Sequence, residues 1–358
     1  MGLFKSNRKI KIFLGAYVNF PNAQNVNCDN IARYLDKEKF EVHTMYTNKK
    51  AIDKQIYKDQ GIHLHKLLHH RFIWYWSKYL TMLLGNYDIY YLPKVEKMDR
   101  RFSQKHKNKI YISSVEGVIT EHTNNTEEFK NYYIKDMTSF FSISNCIADS
   151  VKKFWGVDSE VIPLGTIPIC PKVDKKNKIK NIIWVGNVKA NKRPQYLVQI
   201  AKAFSNLQFK MIGDGDMLED LKSVCMEENI NNIKFYGRIP NSQVYQEMQE
   251  SDLLLMTSEY EGLPKVIQEA AQMRLPSIYI NENYNVDFIT DGINGFAVSD
   301  LETMQEKIQF LLDDPTTYQK MSKAAYESIQ PYTWGNVIKQ YEKYFEKIYE
   351  KSQKVGVL

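Results

Sequence analysis

Apolar residues recur in short runs along the first half of the chain, at 11–17, 41–46, 89–92, 109–115 and 139–144. Each run has the length of a buried strand, and the stretches between them are polar or carry apolar residues at helical spacing. That alternation is what a parallel, doubly wound sheet produces. Between the first two runs the chain is rich in asparagine (Asn19, Asn22, Asn25, Asn27, Asn30), which reads as a loop leading into a helix around residues 31–35. A second series of runs, at 181–185, 208–212, 233–236, 253–256 and 277–280, repeats the pattern. Pro163, Pro168, Pro171 and a lysine-rich stretch at 172–180 without apolar period separate the two series and predict a linker. From 301 to 349, Ile308, Leu311, Leu312, Val337, Tyr341, Phe345 and Ile348 fall at helical spacing and predict packing helices. The pattern therefore predicts an α/β protein of two Rossmann-like halves.

Length and composition fit this picture. A chain of 358 residues suffices for two cores of ordinary size. A content of 43% hydrophobic and 25% charged residues excludes a collagenous or largely disordered chain. Cys28, Cys146, Cys170 and Cys225 stand far apart with no C-x-x-C pair, which suggests neither a disulfide framework nor a thiolate zinc site and fits a reducing cytoplasm. Charge changes the picture more: residues 1–170 carry a net +8 and the remainder −2. A basic first half suits nucleic acid or an anionic membrane face. No nucleic-acid-binding motif accompanies it, so no nucleic-acid partner is expected. The longest apolar runs, such as 12–18, fall short of the ~20 residues that span a bilayer. The start, Met1-Gly2-Leu3-Phe4-Lys5-Ser6, fits a loose myristoylation pattern that matches often by chance.

The chemistry concentrates in Ser258-Glu259-Tyr260-Glu261-Gly262-Leu263-Pro264-Lys265-Val266-Ile267-Gln268-Glu269-Ala270-Ala271, directly after an apolar run. Strand, turn and helix are implied. Pro264 suits the first helical position, so backbone amides near Gly262, Leu263 and Lys265 would point outward at a positive helix end, an anion site. If the segment were wholly helical, Glu261 and Glu269 would stand about 12 Å apart along it. One carboxylate could then hold sugar hydroxyls and the other a ribose, with a diphosphate between them; a capped helix with two solvated glutamates has the same pattern. Asp214-Gly215-Asp216 reads D-x-D, yet its place in a glycine loop favours a solvated turn over a metal site. No G-x-G-x-x-G follows the first strand, which counts against a nicotinamide enzyme. His63, His65, His69 and His70 precede Phe72-Ile73-Trp74-Tyr75-Trp76 without nearby carboxylates or cysteines to complete a metal site. With Lys66, Arg71 and Lys78 this stretch suits a membrane interface, and a packed helix with an ordinary core face is equally compatible.

The spacing of Glu261 and Glu269 resembles that of the retaining GT-B glycosyltransferases of family 4, the glycosyl transferases group 1, whose mark is a Glu, seven residues and a second Glu. Ile183-Trp184-Val185-Gly186 with Lys192-Arg193-Pro194, Met211-Ile212-Gly213-Asp214-Gly215, Phe235-Tyr236-Gly237-Arg238-Ile239, Asp291-Gly292-Ile293-Asn294-Gly295-Phe296 and Tyr332-Thr333-Trp334 resemble further segments of that family, in order, over about residues 140–350. The resemblance implies two Rossmann-like domains facing across a cleft. An acceptor domain would cover 1–170 and a nucleotide-sugar domain 171–330, with a C-terminal helix over 331–358 crossing back.

It implies a hexosyl-type transferase in cell-surface polysaccharide or glycoconjugate synthesis. A nucleotide-diphosphate sugar would be the donor substrate, with no obligatory cofactor and no metal. The acceptor would be a glycan or a lipid-linked molecule, used with retention, in the cytoplasm at the inner face of the membrane. Glu261, Glu116 and Lys192 would carry catalysis, and Gly186, Lys192, Arg193, Gly213, Arg238, Ile239, Gly262, Leu263, Pro264 and Glu269 would bind the donor.

The chain departs from the family at three places. Asn187 stands where many members have Arg, with Lys189 and Arg193 close by. Glu116 occupies the place of a His, with His122 six residues on. The usual Gly-Gly near the first strand is replaced by the asparagine-rich segment. A nucleotide-sugar epimerase on the same architecture and a non-catalytic sugar-nucleotide-binding subunit remain open alternatives.

Overall fold

Each series of apolar runs folds into a parallel sheet flanked by helices. The structure, a computed structural model, describes residues 8–20, 22–47, 51–68, 73–169, 171 and 178–354. The chain divides into two units, Met1–Gly165 with Trp334–Leu358, and Thr166–Thr333. Most of the lysine-rich linker, Cys170, the myristoylation-like start, His69, His70, Arg71 and Phe72 lie outside the described residues.

The first unit runs β1 (Ile10–Tyr17), α1 (Ala23–Tyr34), β2 (Phe40–Thr47), α2 (Lys54–Asp59), β3 (Ile62–Leu67), α3 (Ile73–Gly85) and β4 (Ile89–Tyr91). It continues through α4 (Lys97–Lys105), β5 (Ile110–Val115), α5 (Glu127–Asn131), β6 (Ser139–Ser142), α6 (Asn145–Trp155) and β7 (Glu160–Val161). Among the described residues its strands lie in the order β3-β2-β1-β4-β5-β6-β7. The second unit holds β8 (Asn181–Val185), α7 (Gln195–Ala203), β9 (Gln208–Ile212), α8 (Leu218–Glu227), β10 (Ile233–Gly237), α9 (Asn241–Gln249) and β11 (Leu253–Met256). After them come α10 (Lys265–Gln272), β12 (Ser277–Ile280), β13 (Gly295–Val298), α11 (Leu301–Asp313) and α12 (Pro315–Ile329). The strand order is β10-β9-β8-β11-β12-β13. In both sheets the order reverses beside the unit's first strand, the place where doubly wound sheets open a crevice at their carboxyl ends.

The asparagine-rich segment is a helix, where a loop was expected up to about residue 30. Asn22 caps α1 by accepting from the Asn25 N–H. The buried Asn25 amide accepts from Tyr17 N at 3.0 Å and donates to Phe20 O at 2.9 Å. Asparagine here satisfies the backbone around a helix start, the same capacity that makes it common in turns.

The last helix, α13 (Trp334–Lys354), belongs to the first unit. Its Tyr341, Tyr344 and Phe345 pack on Phe141, Tyr91 and Phe40, with ring centroids 5.3–6.3 Å apart. Glu342 accepts from Asp36 N at 2.8 Å.

Helix α3 is turned inside out. Lys78 is 1% exposed, with Nζ 2.6 Å from the buried Asp99 and 2.7 Å from Glu96, both of the next helix or its cap. Burial works against the Lys78 charge, but Asp99 and Glu96 outweigh it and raise the amine above its ordinary value. Lys78 is therefore an internal counter-ion, unavailable to a membrane surface. The apolar residues face outward: Trp76 is 60% and Leu84 78% exposed. Trp74 instead packs on Tyr17, with ring centroids 4.7 Å apart and the planes tilted by 56°. Among the described residues no helix is long and apolar enough to cross a membrane.

Removing one partner of a buried charge group leaves the others unpaired in a medium that solvates them poorly. Lys78→Met should lower unfolding free energy by about 3–5 kcal/mol in urea titrations, and adding Asp99→Asn should restore part of that loss. A single variant as stable as the parent would show that the group contributes nothing.

Candidate functional site

At the carboxyl ends of β8 and β9 two backbones meet. Gly186 donates its N–H to Ile212 O at 3.0 Å, and Gly213 donates to Gly237 O at 2.9 Å. Gly213 has φ +137°, and a Cβ there would stand 1.7 Å from the Gly186 carbonyl oxygen. Only glycine fits, which leaves the strand ends bare of side chains where a ligand would approach.

One cavity, of about 200 Å³, opens beside Gly186 and is lined by Lys192, Ser258, Glu261, Leu263 and Pro264 among others. Its walls are tied together through Thr257, whose hydroxyl accepts from Trp184 Nε1 at 2.9 Å and donates to Lys192 O at 2.7 Å. The Glu259 N–H donates to Asn191 O at 2.9 Å. Lys192 Nζ forms an ion pair with Glu261 Oε1, and Ser258 donates to the same oxygen at 2.8 Å. Both charged groups are therefore held at the cavity, facing one another.

Helix α10 starts here, at Lys265. Pro264 is its extended N-cap rather than its first helical residue, and its own side chain makes no capping hydrogen bond. The first N–H groups of a helix lack intrahelical partners and carry its positive dipole end, so this wall suits an anion. Glu261 thus sits just before the helix and Glu269 within it, so the condition of a wholly helical segment between them is not met.

A second cavity, of about 300 Å³, adjoins the first and shares Val185, Gly186, Asn187 and Val266 with it. Its remaining lining includes Gly213, Arg238, Ile239, Tyr245 and Glu269. Glu269 accepts from the Tyr245 hydroxyl at 3.3 Å. Burial pushes the Glu269 carboxyl above its ordinary value, partly offset by Lys265 and by that hydrogen bond.

Of the residues expected to bind or act, these two cavities bring together Gly186, Lys192, Gly213, Arg238, Ile239, Glu261, Leu263, Pro264 and Glu269. Gly262 lies in the turn between Glu261 and Leu263 and lines neither. Arg193 lines neither as well: its guanidinium pairs with Glu282 at 2.7 Å. Glu116 belongs to the first unit, at the end of β5, where Ser114 donates to it at 2.9 Å and Asn27 at 3.2 Å. Asp214 and Asp216 are exposed, and among the described residues they gather no third ligand. Sequence reasoning missed Tyr245, which steadies Glu269 from α9, and gave no role to Ser258. The signal for Ser258 was its place three residues before Glu261.

Residues 169–328 match the family model described as Glycosyl transferases group 1. An uncharacterized glycosyltransferase of Haemophilus influenzae is 23% identical over 59% of this chain and 65% of its own length. The alpha-D-kanosaminyltransferase of Streptomyces kanamyceticus is 26% identical over 40% of this chain and 39% of its own. The chain thus spans less than two thirds of these relatives. Among solved structures, Anabaena HepE in complex with UDP superimposes with a TM-score of 0.77 at 15% identity, covering 94% of this chain and 100% of that one. The fold is GT-B.

A carboxyl whose proton is held more tightly in the folded than in the unfolded chain contributes stability below the ordinary carboxylate pKa and loses it as pH rises through the folded value. Glu269→Gln, which keeps the side chain neutral, should therefore flatten the fall in stability on going from about pH 4 to pH 8 in urea titrations. Parallel curves for parent and variant would show that burial does not raise this carboxyl.

Proposed function

We propose that the chain is a retaining glycosyltransferase that moves a hexosyl group from a nucleotide-diphosphate sugar to a glycan or lipid-linked acceptor, in the synthesis of a cell-surface polysaccharide or glycoconjugate. The observation that carries this reading is the pair of adjoining cavities in the second unit. One presents Lys192, Glu261 and the start of α10, the other Glu269 and Arg238, with the bare Gly186 wall between. That is a seat for an elongated ligand whose negative charge lies in its middle.

Glu269 accepts from the ribose hydroxyls, Arg238 and Ile239 flank the base, and the α10 amides receive the diphosphate. Entry of the donor breaks the Lys192–Glu261 pair. Lys192 passes to the diphosphate, where it stabilises the charge that develops on the leaving oxygen. Glu261, still bonded by Ser258, turns to the sugar hydroxyls and positions the anomeric carbon. In transfer the bond between that carbon and the diphosphate oxygen breaks, the acceptor oxygen bonds to the carbon, and the acceptor proton leaves with the diphosphate. Glu116 of the first unit is assigned to catalysis as a carboxylate that stabilises developing positive charge. The family match and the relative named for α-D-kanosaminyl transfer support glycosyl transfer and an α-linked product.

The first unit supports a membrane-associated acceptor. Outward Ile73, Trp76, Leu80 and Leu84 of α3 form an apolar strip, and α4, packed against α3, exposes Lys97, Arg101 and Lys105. Apolar and aromatic residues flanked by cations are the composition of a surface that lies on anionic lipid, with each well-placed cation adding about 1 kcal/mol.

Screening nucleotide sugars by thermal shift identifies the donor, and Lys192→Ala or Glu269→Ala should then weaken its binding by about 1.5–3 kcal/mol, roughly ten- to a hundredfold. Donor affinity unchanged in both variants would overturn the site. Release of free nucleoside diphosphate that depends on an acceptor distinguishes transfer from epimerisation or binding alone. In co-sedimentation the parent should pellet with anionic vesicles at low salt, less so at high salt, and Trp76→Ala with Leu84→Ala should abolish pelleting. Equal recovery in the supernatant under every condition would reject membrane docking.

A further inference from the structure

Helix-flanked sheets bring together residues that the sequence keeps apart, and the free edge of the first unit's sheet does so with four side chains. Strands β2 and β3 pair in parallel with His43 opposite His63 and Met45 opposite His65. Residues two apart on a strand share a face, so Glu41, His43, His63 and His65 all stand on one side. His43 Nε2 lies 2.7 Å from Glu41 Oε1, and its Nδ1 lies 2.9 Å from His65 Nε2. The His43 ring stacks on that of His63 with centroids 4.5 Å apart. One ligand atom from each of Glu41, His43 and His63 lies within 4.8 Å of the others. The histidine-rich stretch lacked a carboxylate in the sequence; parallel pairing supplies Glu41, together with a further imidazole.

We propose that Glu41, His43 and His63 form a site for a zinc-like divalent ion, which shares no residue with either cavity of the second unit. Two imidazoles and a carboxylate are the donor set of open zinc sites, with water in the fourth position. Tetrahedral bonds of about 2.0–2.1 Å require donor atoms about 3.3 Å apart. At 2.7 Å the Glu41 and His43 ligand atoms stand closer than that and part to admit an ion, and His63, on the exposed side, has room to turn its ring toward them. The ion binds Nε2 of the neutral His43 ring in place of its contact with Glu41, and the ring's single N–H then sits on Nδ1 and points at His65 Nε2, the arrangement by which a neighbouring acceptor orients a ligating imidazole. The Tyr87 hydroxyl, 3.2 Å from His65 Nε2, stands behind it. Lys11 competes: its Nζ lies 3.4 Å from the same Glu41 oxygen. An ion held here ties the edge strand β3 to β2, so binding stabilises the unit.

The test uses the full chain, tag-free and stripped of metal, titrated with zinc against a chromophoric chelator and with cobalt(II) followed by its visible absorption. The expected result is saturable binding of a single ion with a four-coordinate cobalt spectrum. Glu41→Gln and the surface variant His63→Ala should each lower affinity about tenfold or more. Lys11→Met should raise affinity, and zinc should raise the melting temperature of the parent but not of His63→Ala. No saturable binding would overturn the proposal. So would binding that Glu41→Gln and His63→Ala leave unchanged, which would put the ion elsewhere, for example on His69 and His70. A Lys11→Met variant with unaltered or weaker binding would remove Glu41 from the ligand set.

Discussion

The contact between the Gly186 carbonyl and Gly213 governs the second unit. A single methyl group at residue 213 would collide with the neighbouring strand end, so the two backbones approach only because residue 213 carries no side chain into the gap. Everything that bears charge is arranged around this bare wall: Lys192 and Glu261 on one side, Arg238 and Glu269 on the other. The core beneath is ordinary, with Ile182, Leu253, Leu255 and Ile278 buried in adjacent central strands. The chemistry rests on a backbone constraint, and the packing below holds it rigid.

Much of this was legible in the sequence because strands buried on both faces are continuous apolar runs. Leu253–Met256 and Ser277–Ile280 are buried throughout, and they, with Asn181–Val185 and Gln208–Ile212, coincide with their predicted ranges. Edge strands are less visible. β3 reads as alternating histidines and leucines and β13 begins at Gly295, so neither showed a run, since an edge needs only part of its surface buried. The asparagines of α1 misled for a related reason: their polarity signals a turn, whereas several are buried against the backbone they cap.

The site divides along the same line. Glycines, the two glutamates and Lys192 announced themselves by spacing within three strand-turn-helix units, those of β8, β9 and β11. Arg193 looked interchangeable with its neighbour Lys192, yet its left-handed backbone, with φ 45°, accompanies a guanidinium paired with Glu282 and absent from both cavity linings. Tyr245 comes from a separate helix, and only the folded sheet reveals its partnership with Glu269. Composition likewise counted Lys78 among surface cations, although two carboxylates from the following segment draw it inside. Charge balance along a sequence locates basic residues without saying which of them face water.

The return of α13 to the first unit sets an order of events on the ribosome. Residues Thr166–Thr333 are contiguous and can close their own core as soon as they have emerged. The first unit, although begun earlier, lacks the aromatic face of Tyr341, Tyr344 and Phe345 until α13 has been made. Phe40, Tyr91 and Phe141 await their cover until then. Of the two units, the one begun first is therefore the one completed last, and its nascent form leaves those rings uncovered until α13 has emerged.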